Sequence, residues 1–364
     1  MTKRMKLHTF RLVNSLKKYW RANAGHKFVT LLIVLLAVTI SGMFGISKWY
    51  AWSVRNQPMV FGVSFIPAYA SSLGVDPQKT MDALISDVGV RQFRLVSYWN
   101  EVEKEPGKYD FSQLDWQFKK AEAAHAQIIL TVGLRQPRWP ECHPPDFIDT
   151  SKPLETWQPQ LETYMAAVIN RYKSSPSLYK YQLENEYFLK GFGGCIDFSR
   201  SRLVDEYKLV KKLDSKHPVI VGRSNNALGF PAGAPTPDQF SISVYKRVWD
   251  AGVTHRYLEY PFPAWFYGYI AGVQKIYLGK DMSVAELQAE AWPPNSQQIP
   301  NVSLAEQNKS LDARRLKGRF DYGKNTGMKS VDMWGAEYWY YRKVVLHDDS
   351  LWQVATKAIR DANR

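Results

Sequence analysis

Acidic residues are missing from the first 27 positions, and cysteine occurs only twice in 364 residues. No Gly-x-Gly-x-x-Gly turn follows the first predicted strand, which weakens the case for an open doubly wound sheet, the second-ranked architecture. His125, His143 and His217 are scattered without ligand spacing. They read as surface residues, so neither a metal nor a cofactor is expected. From Val60 onward there is no low-complexity stretch, charge block or domain break. One domain is expected.

What is present at the N-terminus is lopsided. Residues 1–27 hold eight Lys or Arg, more than half of the formal net charge of +14. The uncharged run from Phe28 to Ile46 then approaches the roughly 20 residues that cross a bilayer as a helix. Lys48, Trp49, Tyr50 and Trp52 after it read as an interfacial belt. The spacing predicts a basic cytoplasmic tail over 1–27, a bilayer anchor over 28–47, a linker over 48–59 and an exported domain over 60–364. A basic flank before the span keeps the N-terminus in the cytoplasm. A cleaved signal peptide is the competing reading, but the run exceeds a usual h-region and no Ala-x-Ala site follows.

The composition is 45% hydrophobic and 14% aromatic, enough for a full-sized core. Short apolar runs alternate with helical patterns, as expected for repeated β-α units. Eight strands are predicted, at 61–65, 92–96, 127–132, 179–184, 219–222, 241–245, 283–290 and 331–338. Leu161, Tyr164, Met165, Val168 and Tyr172 share one helical face, and Leu351, Val354, Ala355 and Ile359 mark a closing helix. The expected fold is a (β/α)8 barrel, with its site at the C-terminal ends of the strands. Cys142 and Cys195 then fall in the neighbouring loops after the third and fourth strands. Export permits a disulfide between them.

The chemistry-bearing residues lie at strand ends. Tyr181-Gln-Leu-Glu-Asn-Glu-Tyr187 closes the fourth strand with Asn185 and Glu186, and Glu184, two residues before Glu186, should share its side from deeper in the barrel, behind the reacting groups. In the seventh strand Glu286, Gln288 and Glu290 alternate onto one side. Glu290 reaches the rim, with Trp292 after it as a sugar-stacking surface. Two such carboxylates are what glycosidic bond cleavage requires. Glu290 is the expected nucleophile and Glu286 the alternative. An ion pair between one of these glutamates and Arg94 is the structural reading.

The segment Arg91–Asp115, with Arg94, Trp99, Glu101 and Gly107-Lys-Tyr-Asp-Phe-Ser-Gln-Leu-Asp115, resembles the second β-α unit of glycoside hydrolase clan A, especially the family 42 β-galactosidases. The strand ending in Asn185-Glu186 is similar to that clan's acid/base strand. The resemblance implies Glu186 as acid/base, Asn185 as a substrate contact, Glu290 as nucleophile and Arg94 as the residue that orients it. It also implies Trp99 in the site, Tyr245 hydrogen-bonded to the nucleophile, and Trp334 or Trp339 beneath the sugar. Hydrolysis by double displacement with retention would follow. The seventh strand reads Glu-Leu-Gln-Ala-Glu-Ala-Trp in place of Thr-Glu-Phe-Gly, leaving the register between Glu286 and Glu290 open. The additional family 42 domains are absent, so galactosidase specificity does not carry over.

Two other function classes compete. A barrel that has lost catalysis would act as a tethered glycan-binding module, but both rim carboxylates are retained. A nucleic-acid binder needs basic and aromatic residues interleaved on the exported part, and these are not found. The expected partners are an oligo- or polysaccharide and the lipid bilayer. The sequence leaves the sugar, the linkage and the oligomeric state undetermined.

Overall fold

The computed structural model describes Asn14 and residues 23–225 and 233–363. Most of the expected basic tail therefore lies outside the described residues. Helix α1, Ala24–Ser53, opens at Asn23, whose side chain accepts a 2.9 Å hydrogen bond from the His26 amide and so satisfies one orphan helix donor. Its 30 residues are long and apolar enough to cross a membrane. Residues 48–53, expected as linker, are its last turns. Tyr50, expected in an interfacial belt, is instead buried and donates to the Met282 carbonyl at 3.3 Å.

Beyond α1 the chain alternates strands and helices. The barrel strands and the longer helices, with shorter helices and two small hairpins between them, are in order β1 (Val60–Phe65), β2 (Gln92–Leu95), α2 (Ser112–Ala123), β3 (Gln127–Val132), α3 (Leu154–Tyr172) and β4 (Leu178–Leu183). There follow α4 (Arg200–Leu213), β5 (Val219–Ser224), β6 (Gln239–Val244), α5 (Ala264–Leu278), β7 (Met282–Gln288), α6 (Ala313–Asn325), β8 (Ser330–Trp334), α7 (Ala336–Val344) and α8 (Ser350–Ala362). The eight strands are parallel and close in sequential order, β8 pairing with β1. This is a (β/α)8 barrel.

Strand alternation sorts the side chains. On β1, Phe61 packs edge-on against Phe320 of α6, and Phe65 against Trp116 of α2, while Ser64 turns inward to Arg94. Gly62 is required by its surroundings, since a Cβ there would stand 2.0 Å from Asp332 Oδ1. The α3 face predicted from spacing is buried throughout, each large apolar side chain contributing roughly 1.5–3 kcal/mol. β8 ends at Trp334, four residues before the predicted end. Gly335 takes φ 95° and starts α7, so Tyr338 and Trp339 belong to a helix.

The end of α1 fits into the flank of the barrel. Gly268 and Gly272, one turn apart on α5, leave room for it: a Cβ added at Gly268 would lie 2.5 Å from Ser47 Oγ, and one at Gly272 2.6 Å from Ile46. Phe44 meets Trp265 edge-on at 5.8 Å.

Candidate active site

Arg94 stands at the centre of the barrel mouth with its guanidinium donors shared among four side chains. Nε donates to Gln182 Oε1 at 2.7 Å, Nη1 to Glu286 Oε1 at 2.8 Å and Ser64 Oγ at 3.2 Å, and Nη2 to Asn185 Oδ1 at 2.7 Å. The Tyr245 hydroxyl donates to the other Glu286 oxygen at 2.6 Å. Both side chains expected to hold the nucleophile therefore meet Glu286 and not Glu290. The cause is local. β7 ends at Gln288, so Glu286 is held within the strand while Glu290 lies beyond it.

Glu186 follows β4 with φ 43° and is buried; its Oε1 has no hydrogen-bond partner. Burial first, then the charges of Glu286 and Glu141, push its carboxyl up to about 8, against a weaker pull from the Ser243 and Ser224 hydroxyls. Sequence reasoning missed Glu141. It lies in the loop after β3, accepts from Asn185 Nδ2 at 3.0 Å and pairs with Arg135 at 3.4 Å. Burial and the Glu286 charge push it up to about 7. Its one sequence signal is adjacency to Cys142.

Cys142 and Cys195 form a disulfide with a Cα separation of 5.2 Å, joining the loops after β3 and β4. Gly193 lies under this joint at φ 82°, where a Cβ would be 2.8 Å from the Pro140 carbonyl oxygen.

Glu290 lies farther out, past the end of β7. Trp334 Nε1 donates to its Oε1 at 2.9 Å and Arg138 Nη2 to its Oε2 at 3.1 Å. The Arg138 guanidinium also covers the rings of Tyr69 and Trp334, 3.4 and 4.5 Å from their centroids. Glu290 borders a cleft of about 760 Å³ lined by Tyr69, Arg138, Trp139, Phe192 and Trp292. Clefts of about 520 and 510 Å³ lie on the barrel flank and at its opposite end. Trp292 meets Tyr245 edge-on at 5.5 Å.

Other expected site residues lie elsewhere. Trp99 is buried against Tyr164 and donates to Glu103 at 2.7 Å; it is core. Trp339 is also core, donating to the Ala289 carbonyl at 2.7 Å. Glu184 takes φ 57°, which breaks the alternation with Glu186. Its carboxylate accepts from the Leu134 and Arg135 amides at 2.6 and 3.1 Å and pairs with Arg202 at 3.0 Å. His143 and His217, expected at the surface, are buried: His143 stacks on Tyr98, and His217 Nδ1 lies 2.6 Å from Asp214 Oδ2.

The fold and site together define a (β/α)8 barrel with a carboxylate cluster at the C-terminal ends of its strands. No family model and no curated protein matches the sequence. Among solved structures, the chain is similar to a GH5_18 protein from Bifidobacterium longum subsp. longum, at 10% identity and TM-score 0.56 over 84% of this chain and 79% of that one. It is also similar to a β-galactosidase from the Antarctic haloarchaeon Halorubrum lacusprofundi, at 14% identity and TM-score 0.52 over 84% of this chain. The match spans 58% of that β-galactosidase. At these identities the likeness is one of fold.

Proposed function

We propose that this chain is a retaining β-glycosidase in which Glu186 is the acid/base and Glu286, in place of Glu290, is the nucleophile. The observation that carries the reading is the division of labour between two neighbouring carboxyls. Glu286 accepts hydrogen bonds from the Arg94 guanidinium and the Tyr245 hydroxyl, whereas Glu186 is buried with a raised proton affinity. That pairing suits a charged nucleophile beside a protonated acid at neutral pH.

Glu286 attacks the anomeric carbon while Glu186 gives its proton to the departing oxygen. The glycosyl ester so formed at Glu286 carries no charge, which lowers the proton affinity of Glu186. Glu186 then takes a proton from water, whose oxygen attacks the anomeric carbon and releases Glu286. Asn185, fixed between Arg94 and Glu141, is placed to bind a hydroxyl next to the scissile bond. Glu290 orders the cleft wall by holding Arg138 and Trp334, and Trp292 offers a stacking face.

The membrane reading is part of the proposal: α1 remains attached as an anchor, with the basic tail in the cytoplasm and the barrel exported. The unbroken helix through Ser53 and the burial of Ser47 and Tyr50 support it.

Trapping with a panel of 2-deoxy-2-fluoro aryl glycosides, followed by peptide mapping, tests the assignment. The label is expected on Glu286. A label on Glu290 would reverse the assignment, and no turnover of any aryl glycoside would favour a glycan-binding barrel.

A further inference from the structure

The direction of α1 along the barrel fixes which end of the barrel faces a bilayer. In this fold the helix after a strand runs from the catalytic face back to the opposite end. Helix α5, between β6 and β7, therefore has its N-terminus at the mouth and its C-terminus at the far end. Helix α1 lies parallel to it. Phe44 packs on Trp265, Ser47 stands against Gly268, and Ile46 and Tyr50 against Gly272. Tyr50 hydrogen-bonds to Met282, the first residue of β7, and Gln57 to Asp281 beside it, both at the far end. Increasing numbers along α1 thus descend from the mouth, and the apolar stretch below residue 44 leaves the barrel on the mouth side.

Lys48 is the first charged residue after the apolar run, and its Nζ lies 5.1 Å from the Phe44 ring centroid. The edge of the span is therefore level with the start of α5, where the strand-end loops emerge. Those loops expose Trp139, Phe192, Ile196 and Val253, by 69%, 41%, 61% and 85%. The opposite end also exposes apolar side chains, Ile276, Tyr277 and Leu278. Exposure alone does not choose the face; the parallel packing of α1 on α5 does.

We infer that the catalytic mouth opens toward the bilayer that holds α1, and that the substrate is a saccharide carried on a lipid of that same membrane. The inference rests on the glycosidase and anchor readings above, and it adds the class of aglycone. A headgroup sugar or short lipid-linked glycan would enter the cleft beside Trp139, Phe192 and Trp292. A soluble polymer would have to enter between the rim and the membrane.

The test uses the full chain reconstituted in phosphatidylcholine vesicles. A fluorophore is placed at Val253→Cys on the mouth side or at Tyr277→Cys at the far end, and the vesicles carry nitroxide-headgroup lipid. Loss of fluorescence at position 253 with none at 277 is expected; the reverse, or equal response, overturns the inference. In a second arm, the sugar found active as a soluble aryl glycoside is supplied as a dialkyl lipid glycoside, either in the enzyme's own vesicles or in separate ones. Shared vesicles should give about tenfold faster release or more, through the higher effective concentration. Equal rates with normal aryl glycoside turnover sink the lipid-substrate inference and leave the glycosidase reading intact. Failure to cleave any aryl glycoside sinks the glycosidase reading, while the quenching arm still decides the orientation.

Discussion

Arg94 Nη1 lies 2.8 Å from Glu286 Oε1, and both side chains are almost wholly removed from water. Taking away one partner of such a pair leaves a buried, uncompensated charge, which costs about 3–5 kcal/mol. Arg94→Met should therefore lower stability by about that amount in urea unfolding. Adding Glu286→Gln should recover a large part of the loss, because the two substitutions share one interaction.

Loss of the proposed nucleophile and loss of the proposed acid should differ in leaving-group dependence. Glu286→Gln should reduce kcat on every substrate by on the order of 10⁴-fold or more. Glu186→Ala should slow substrates with poor leaving groups far more than those with good ones, since proton donation matters least when departure is easy. Azide should restore turnover of activated substrates by Glu186→Ala through a glycosyl azide product. A uniform loss across leaving groups would count against Glu186 as the acid.

The raised proton affinity of Glu186 has a pH signature. The acid must be protonated in the free enzyme, so kcat/KM should fall as pH rises through about 8. Stability follows the same sign. The folded value lies above the unfolded one, so its stabilising contribution is full below the unfolded carboxyl value and lost as pH rises through about 8. Glu186→Gln should remove that part of the decline in thermal melts between pH 6 and 9.

Reduction of the disulfide should loosen the loops that carry Glu141 and Asn185. Cys142→Ser with Cys195→Ser should cost roughly 2–4 kcal/mol of stability for a link spanning 53 positions. Non-reducing peptide mapping of the native protein should recover the 142–195 pair.

Gly335 tests the role proposed for Glu290. A Cβ at residue 335 would stand 2.4 Å from the Glu290 Cβ, on a backbone at φ 95°. Gly335→Ala should shift Glu290 away from Arg138 and Trp334. A rise in KM of roughly tenfold, the worth of one hydrogen bond, is expected, with a smaller change in kcat. A kcat collapse equal to that of Glu286→Gln would instead favour Glu290 as the nucleophile.

The strand positions were readable because outward apolar residues repeat at period two, and Phe61 and Phe65 illustrate it on β1. The end of β8 was not, because Trp334-Gly-Ala-Glu-Tyr-Trp-Tyr-Tyr341 is apolar under either period and only the φ of Gly335 separates strand from helix. Arg94, Asn185, Glu186 and Tyr245 converge as their strand-end positions suggested. The choice between Glu286 and Glu290 depended on β7 ending at Gln288, which side-chain alternation cannot reveal. Glu184 and Glu186 both take positive φ, so their expected common side was lost. Glu141 was hidden because Asn185 and Glu286, which mark it as part of the site, come from other strands. Trp99 shares the aromatic identity of a sugar platform, but Tyr164 on α3 covers it.

Helix α1 enters the barrel without a hinge: Ser47, Tyr50 and Val54 are buried in succession, and the helix is unbroken from residue 24 to 53. A domain on a slack tether samples every height above a membrane, whereas this joint would hold the mouth of a barrel anchored as proposed at one height. Distance from the lipid then acts as a gauge. Glycosidic bonds at one particular number of sugar units from the anchor would come level with Glu186 and Glu286, and bonds nearer or farther would pass uncut.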